Sequence, residues 1–387
     1  MKKIRTFGIC ALILVWALLA VALWFGPKEE YTNAERRPLM QIPQISANSV
    51  FSGKFAGDFE DFTLDQFPLR DTFRKLKSQF HYNVLKQADN NGIYLVDDMV
   101  AKIEYPLDES SVNYVVGRLQ YVYDTYLKDT DCKIYTSVIP DKNYYMAAQN
   151  GYPSLDYAAL FDAYRPVLSW ARYVEITDLL NHNDYYHTDT HWRQECIYDV
   201  AQRLLEMMDA AVPELESFTP EKVEQPFYGV YFGQAALPME PEDMYILQSD
   251  LLDGCTVTDP LTGAVSKVYN MDKLESPDLY DVFLSGAQPI LTIENPAGKP
   301  GKELVLFRDS YGSSLAPLLL QGYSRVTLVD IRYIHPDQVG DYVTFDSQDV
   351  LFLYSTLILN NGRSLTFCPS VNLKSLPLEG KVSRRQP

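Results

Sequence analysis

Hydrophobic residues fall along this chain in blocks of different period. The first block, 7–24, is apolar throughout and follows Lys2, Lys3 and Arg5. About 18–20 such residues suffice to cross a bilayer as a helix. Residues 27–50 are rich in proline and polar side chains and predict an extended linker. Aromatics at mixed spacing over 51–86, with Arg70, Arg74 and Lys75, predict a helical segment packed onto a domain. From Cys132 onward the pattern alternates. The β-branched run 133–140 predicts a strand, 154–170 a helix and 172–176 a second strand. Ile197, Val200, Ala201, Leu204 and Met208 recur at helical spacing, so 195–208 predicts a helix with one apolar face. Further on, 303–307 reads as a buried strand, 313–321 as a helix, and 325–331 and 349–354 as strands. Strands alternating with helices predict an α/β fold with a mostly parallel sheet flanked by helices.

The stretch 212–302 breaks this pattern. Pro213, Pro220, Pro226, Pro238, Pro241 and Pro260 punctuate short β-like runs such as 228–232 and 265–269. The reading is a β-rich insertion, serving as a lid or a substrate-contacting subdomain. From about Lys374 the chain reads as a loose tail. The expected organisation is a membrane segment over 1–26, then one α/β domain over 27–387 carrying the insertion.

Charge sharpens the picture. Positive residues before the apolar run, with few after it, orient the N-terminus toward the cytoplasm. Ala20-Val21-Ala22 offers the rival reading, a signal-peptide cleavage site. The apolar run is longer than such peptides usually carry, which favours an uncleaved, single-pass anchor. Either way the body of the protein is expected outside the cytoplasm. A net charge of -17 and a pI near 4.7 exclude the basic stripe that nucleic-acid binding needs. Cys132, Cys196, Cys255 and Cys368 are widely spaced, Cys10 lies in the apolar run, and no CxxC pair is present. The spacing matches neither a stapled scaffold nor a zinc knot and leaves disulfide pairing open.

The candidate chemistry lies in Tyr185-Tyr186-His187-Thr188-Asp189-Thr190-His191-Trp192, in a chain with only 5 histidines. In an extended segment residues two apart face the same side, so Asp189 can orient the His191 imidazole. Such a pair is two thirds of a hydrolase triad. Ser310, in Phe307-Arg308-Asp309-Ser310-Tyr311-Gly312, is the candidate nucleophile. It follows a strand and precedes a helix, where α/β folds place their sites. Gly312 would allow a sharp turn, and the amides of Ser310 and Tyr311 are candidate oxyanion donors. Two plainer readings compete: Asp309 or Ser310 as a helix cap, and a metal site on His187, Asp189 and His191 with Glu195 or His182.

The string Asp189-Thr190-His191-Trp192 resembles the defining motif of the DHHW protein family, itself similar to the AlgJ and AlgX alginate O-acetylation proteins. Family-like strings occur in order along the chain: Asn33-Ala34-Glu35-Arg36-Arg37-Pro38-Leu39, Asp65-Gln66-Phe67-Pro68-Leu69-Arg70, Pro140-Asp141-Lys142, Arg308-Asp309-Ser310-Tyr311-Gly312 and Val329-Asp330-Ile331-Arg332-Tyr333. The resemblance implies an SGNH-hydrolase-like fold and O-acetyltransferase or acetylesterase activity on an envelope or extracellular polysaccharide. Ser310, His191 and Asp189 match the catalytic residues, with no cofactor and no metal. Thr190 stands where the family name has a second His. The SGNH pattern also implies a Gly and an Asn as oxyanion donors; Asn360 or Asn361 is the candidate for the Asn. Implied partners are a polysaccharide, an acyl donor and an acyl-donating membrane protein. The 28 Tyr and 18 Phe supply sugar-stacking faces as well as ordinary core. A binding or scaffold protein of an envelope or spore-coat assembly is the alternative from another class.

Overall fold

The computed structural model describes residues 2–211 and 217–362. Pro213, Cys368 and the tail from Lys374 lie outside them. The chain forms two compact units, Met1–Val100 with Tyr228–Pro241, and Ala101–Phe227 with Glu242–Pro387.

The first unit begins with helix α1, Lys2–Phe25. Its segment Ile4–Phe25 has a mean hydropathy of 2.6 and is long and apolar enough to span a membrane. Residues 27–50 are not the free linker that their composition predicts. The Glu29 amide donates to Gln66 Oε1 at 3.1 Å, and Tyr31–Thr32 pairs with Arg37–Pro38. Two further helices follow, α2 (Lys54–Asp65) and α3 (Arg70–Gln79), the latter continuing as a π-helical turn, Phe80–Val84. A cluster of ions ties these pieces together. Asp65 takes both Arg37 nitrogens at 2.6 and 2.8 Å, while Glu35 pairs with Arg37, Arg70 and Arg74. The run 228–232, expected as a strand, instead leads into a short helix, Val230–Ala235. A Cβ at Gly233 would lie 1.4 Å from the Ala34 carbonyl oxygen, so this helix approaches the chain only with glycine there.

The second unit is built on an 8-stranded sheet. Its strands are β1 (Lys133–Ile139), β2 (Arg172–Tyr173), β3 (Thr256–Thr258), β4 (Val265–Ser266), β5 (Ile290–Glu294), β6 (Glu303–Arg308), β7 (Arg325–Val329) and β8 (Asp349–Ser355). Across the sheet the order is β4-β3-β5-β7-β6-β8-β1-β2. The run β7-β6-β8-β1-β2 is parallel, with Leu306 opposite Leu351 and Leu351 opposite Tyr135. β5 pairs antiparallel to β7, and β3 and β4 continue in that sense.

Alternation along the strands buries both faces. Leu304, Leu306, Leu351 and Leu353 point into one core with helices α6 (Tyr198–Met207) and α7 (Tyr311–Leu319). Val305, Phe307, Val350 and Phe352 point into the other, with α4 (Glu109–Val122) and α5 (Tyr157–Tyr164). The result is a mixed α/β sandwich of helix, sheet and helix. Within 217–302, β3, β4 and β5 extend the main sheet, and Val257, Leu291 and Ile293 share a core with Leu306 and Leu351. Thr219–Lys222 and Tyr245–Gln248 pair in a 2-stranded sheet of their own, and Tyr228–Pro241 belongs to the first unit.

Candidate active site

β6 ends at Arg308, and the chain turns through Asp309 and Ser310 into α7. Asp309 takes the capping role: its Oδ1 accepts the Tyr311 amide at 3.0 Å and its Oδ2 the Ser355 amide, at the end of β8, at 2.7 Å. Ser310 is helical (φ −61°, ψ −26°) and its side chain makes no cap bond. That frees its hydroxyl, which lies 2.8 Å from His191 Nε2.

His191 sits at the base of a tight hairpin. Tyr185 bridges Trp192, and the Tyr186 amide donates to the His191 carbonyl at 3.0 Å. Trp192 Nε1 donates to Ser314 Oγ at 2.9 Å, and Gln194 Nε2 to the Ser314 carbonyl at 2.9 Å, fixing the hairpin on α7. At its tip the fully buried Asp189 places Oδ1 at 2.6 Å from His191 Nδ1 and 3.0 Å from the His191 amide. A carboxylate only accepts, so Nδ1 carries the proton and Nε2 offers its lone pair to the serine hydroxyl. Thr190 turns away from this pair; its carbonyl accepts the Tyr311 hydroxyl at 2.6 Å.

Three side chains without an assigned role in the motifs hold this arrangement. Tyr280 stacks on the imidazole, with centroids 3.9 Å apart and planes within 10°. Lys142, fully buried just beyond β1, donates to the carbonyls of Tyr186 (3.0 Å) and His187 (3.3 Å). Burial pushes its pKa down to about 7, against the opposing pull of Glu242, Asp189 and Asp141. Glu242 accepts the His187 and Thr188 amides at 2.6 and 2.7 Å. The hairpin is thus held by an amine on its carbonyls and a carboxyl group on its amides. Position after a strand end, within Pro140-Asp141-Lys142, is the only sequence signal for Lys142. Tyr280 and Glu242 have none.

Several expectations are corrected. The Tyr311 amide is engaged by Asp309 and is not a free oxyanion donor; the Ser310 amide remains the candidate. Asn360 accepts from the Asp108 amide at 2.7 Å and donates to the Pro106 carbonyl, so its amide group is committed to that loop. Asn361 donates to Glu104 and to the Leu357 carbonyl. Gly312 serves close packing, not a turn: its φ is not positive, and a Cβ there would lie 2.7 Å from Arg308 Cβ. Asp189 is spent on His191 while His187 is exposed. Among the described residues no three His, Cys, Asp or Glu side chains converge as a metal site. Cys10, Cys132, Cys196 and Cys255 are free thiols.

No family model matches the chain, and no curated protein matches it in sequence. Among solved structures, the fold is similar to that of a DHHW family protein from Eubacterium siraeum. That match has 21% identity and a TM-score of 0.57, over 72% of this chain and 95% of the other. Bacillus cereus PatB1, solved with a sulfonyl adduct, is similar at 16% identity and a TM-score of 0.54, over 71% and 98%. The O-acetyltransferase domain of Pseudomonas putida AlgJ aligns at 11% identity and a TM-score of 0.43, over 70% and 92%. The chain that carries the DTHW string therefore has its fold in common with a structure from the DHHW family.

Proposed function

We propose that this protein is a membrane-anchored, extracytoplasmic acyl-transfer enzyme that moves an acetyl group through Ser310. The observation that carries the reading is the continuous chain Ser310 Oγ–His191 Nε2 at 2.8 Å and His191 Nδ1–Asp189 Oδ1 at 2.6 Å. Attack of Oγ on the donor carbonyl passes the hydroxyl proton to Nε2, and buried Asp189 stabilises the imidazolium. The Ser310 amide, at the N-terminus of α7, faces the developing oxyanion. Collapse breaks the donor C–O bond, and the departing alkoxide takes the proton from Nε2. The acetyl-serine is then attacked by an acceptor hydroxyl that gives its proton to Nε2; collapse breaks the acetyl–Oγ bond, and Ser310 Oγ takes that proton back. A sugar hydroxyl makes the enzyme an O-acetyltransferase and water makes it an esterase. The motif resemblance to polysaccharide O-acetylation proteins supports the sugar, with an acyl-donating membrane protein upstream. The charge asymmetry around α1 supports the extracytoplasmic placement.

The test is a sulfonyl fluoride, applied to the full chain in detergent. The reagent is expected to label Ser310, the label to vanish in Ser310→Ala and His191→Ala, and acetyl-ester hydrolysis to withstand chelator. Each single change should remove nearly all activity and the double change little more, because the pair acts as one unit. Hydrolysis lost to chelator and restored by zinc, with Ser310 unlabelled, overturns the proposal. A labelled Ser310 also excludes the scaffold reading.

A further inference from the structure

The α3 helix is packed with its faces inverted. Arg70 and Arg74 reach Glu35, Ser78 donates to the Ala235 carbonyl at 2.7 Å, and Tyr82, in the π-helical turn, to the Ile93 carbonyl at 2.5 Å. These polar contacts hold the inward side. Leu69, Phe73, Leu76, Phe80 and Val84 recur at helical spacing on the other side, and are 69%, 45%, 57%, 50% and 64% exposed. A helix normally buries such a stripe. A contiguous apolar strip left outside marks a docking surface.

The rest of the same unit identifies the occupant. It contains α1, and the exit of α1 is fastened down, not tethered loosely. The Trp24 ring lies 6.1 Å from Phe59, Lys28 Nζ lies 5.6 Å from the Phe62 ring centre, and Gln66 Nε2 donates to the Glu29 carbonyl at 2.8 Å. For a unit gripped at the membrane exit, the nearest apolar phase is the bilayer interface. Exposed Lys75 and Lys77 on the same helix suit a headgroup layer, where long cationic side chains reach out of the apolar zone. We propose that α3 and its π-helical continuation lie in the lipid interface, stripe inward, as a second membrane contact beside α1. This inference rests on α1 being a bilayer helix, as in the reading above.

The full chain is reconstituted in phosphatidylcholine–phosphatidylglycerol vesicles containing lipid brominated at shallow acyl positions. Leu76→Trp and Phe80→Trp are compared with Lys75→Trp, each as the signal over the unsubstituted chain. Bromine is expected to quench the added tryptophan at 76 and 80 about as strongly as it quenches Trp24, and at 75 much less. Trp16 and Trp24 report on α1 in the same sample. Quenching of those two without quenching at 76 and 80 overturns the interfacial helix alone. Quenching of none overturns it together with the bilayer reading of α1. Blue-shifted, bromine-insensitive emission at 76 and 80 means that protein covers the stripe, and likewise overturns the lipid assignment.

Discussion

Tyr280 offers the sharpest test of how the site works. Its ring lies face to face with the His191 imidazole at 3.9 Å, and its hydroxyl donates to Ser314 Oγ at 2.8 Å. In the proposed acyl transfer the imidazole becomes a cation. An aromatic face against a cation stabilises it by about 0.5–1 kcal/mol at exposed sites and about 2 kcal/mol where water is excluded. His191 is 8% exposed, which places it toward the upper end. Tyr280→Leu removes the face, and one decade of rate per about 1.4 kcal/mol converts about 1–2 kcal/mol into a loss of about 5- to 30-fold in kcat. KM for a chromogenic acetyl ester should hardly move, since the interaction strengthens only once charge develops. Tyr280→Phe keeps the ring and loses one hydrogen bond to a serine that also accepts from Trp192, so it should stay within about 3-fold of the parent. Steady-state kinetics of the three proteins, with near-ultraviolet circular dichroism to confirm folding, decides the matter. A Leu variant as fast as the parent refutes the reasoning. A Phe variant as slow as the Leu one moves the role from the ring to the hydroxyl.

Two further outcomes follow from the packing. Lys142 has its pKa lowered to about 7 from an ordinary 10.5, so between those values the unfolded chain binds the extra proton and stability rises with pH. The cost of burying the ammonium is complete below about 7 and lifted toward 10.5. Lys142→Met should erase up to about 1.4 kcal/mol of stability gain per pH unit, and urea unfolding of both proteins at about pH 7.5 and 9.5 reads it; parallel pH dependences contradict the prediction. Gly312→Ala forces its new methyl against the buried Arg308 stem and should cost about 1–3 kcal/mol, seen as a lower denaturation midpoint with reduced acetyl-ester turnover. An unchanged midpoint would mean that Arg308 yields freely.

The parts of this molecule legible in the sequence are those governed by short-range pattern. Strands β1, β6, β7 and β8 announce themselves as β-branched or apolar runs, and the pair Asp189–His191 needs only the spacing of an extended segment. Ser310 stands out as a candidate because a strand end before a helix is where α/β sites lie. What stayed hidden depends on distant partners. Lys142 meets the hairpin across 44 residues and Glu242 across 55, and no local period encodes either meeting. Tyr280 reads as one more aromatic until its plane is known. Of the antiparallel edge β5-β3-β4, only β4 falls in a run read as β-like, 265–269; β5 and β3 are short and are placed by pairing, β5 on β7 and β3 on β5. The outward stripe on α3 was not legible for another reason: the ions Glu35, Asp65, Arg37, Arg70 and Arg74, which hold the polar side inward, are drawn from separate segments of the chain.

Strand order bears on how the proposed site is assembled. Ser310 is mounted beyond β6, and the hairpin with Asp189 and His191 is gripped by Lys142 beyond β1. Among the described residues, the one strand hydrogen-bonded to both β6 and β1 is β8. Without β8, β6 and β1 would share no strand, and the hairpin would meet the serine's helix only through side-chain contacts such as those of Trp192 and Gln194 with Ser314. The same strand, Asp349–Ser355, brings the Ser355 amide to Asp309, next to Ser310. β8 is thus the keel of the proposed site, bonded on one side to the strand that carries the serine and on the other to the strand that leads to Lys142.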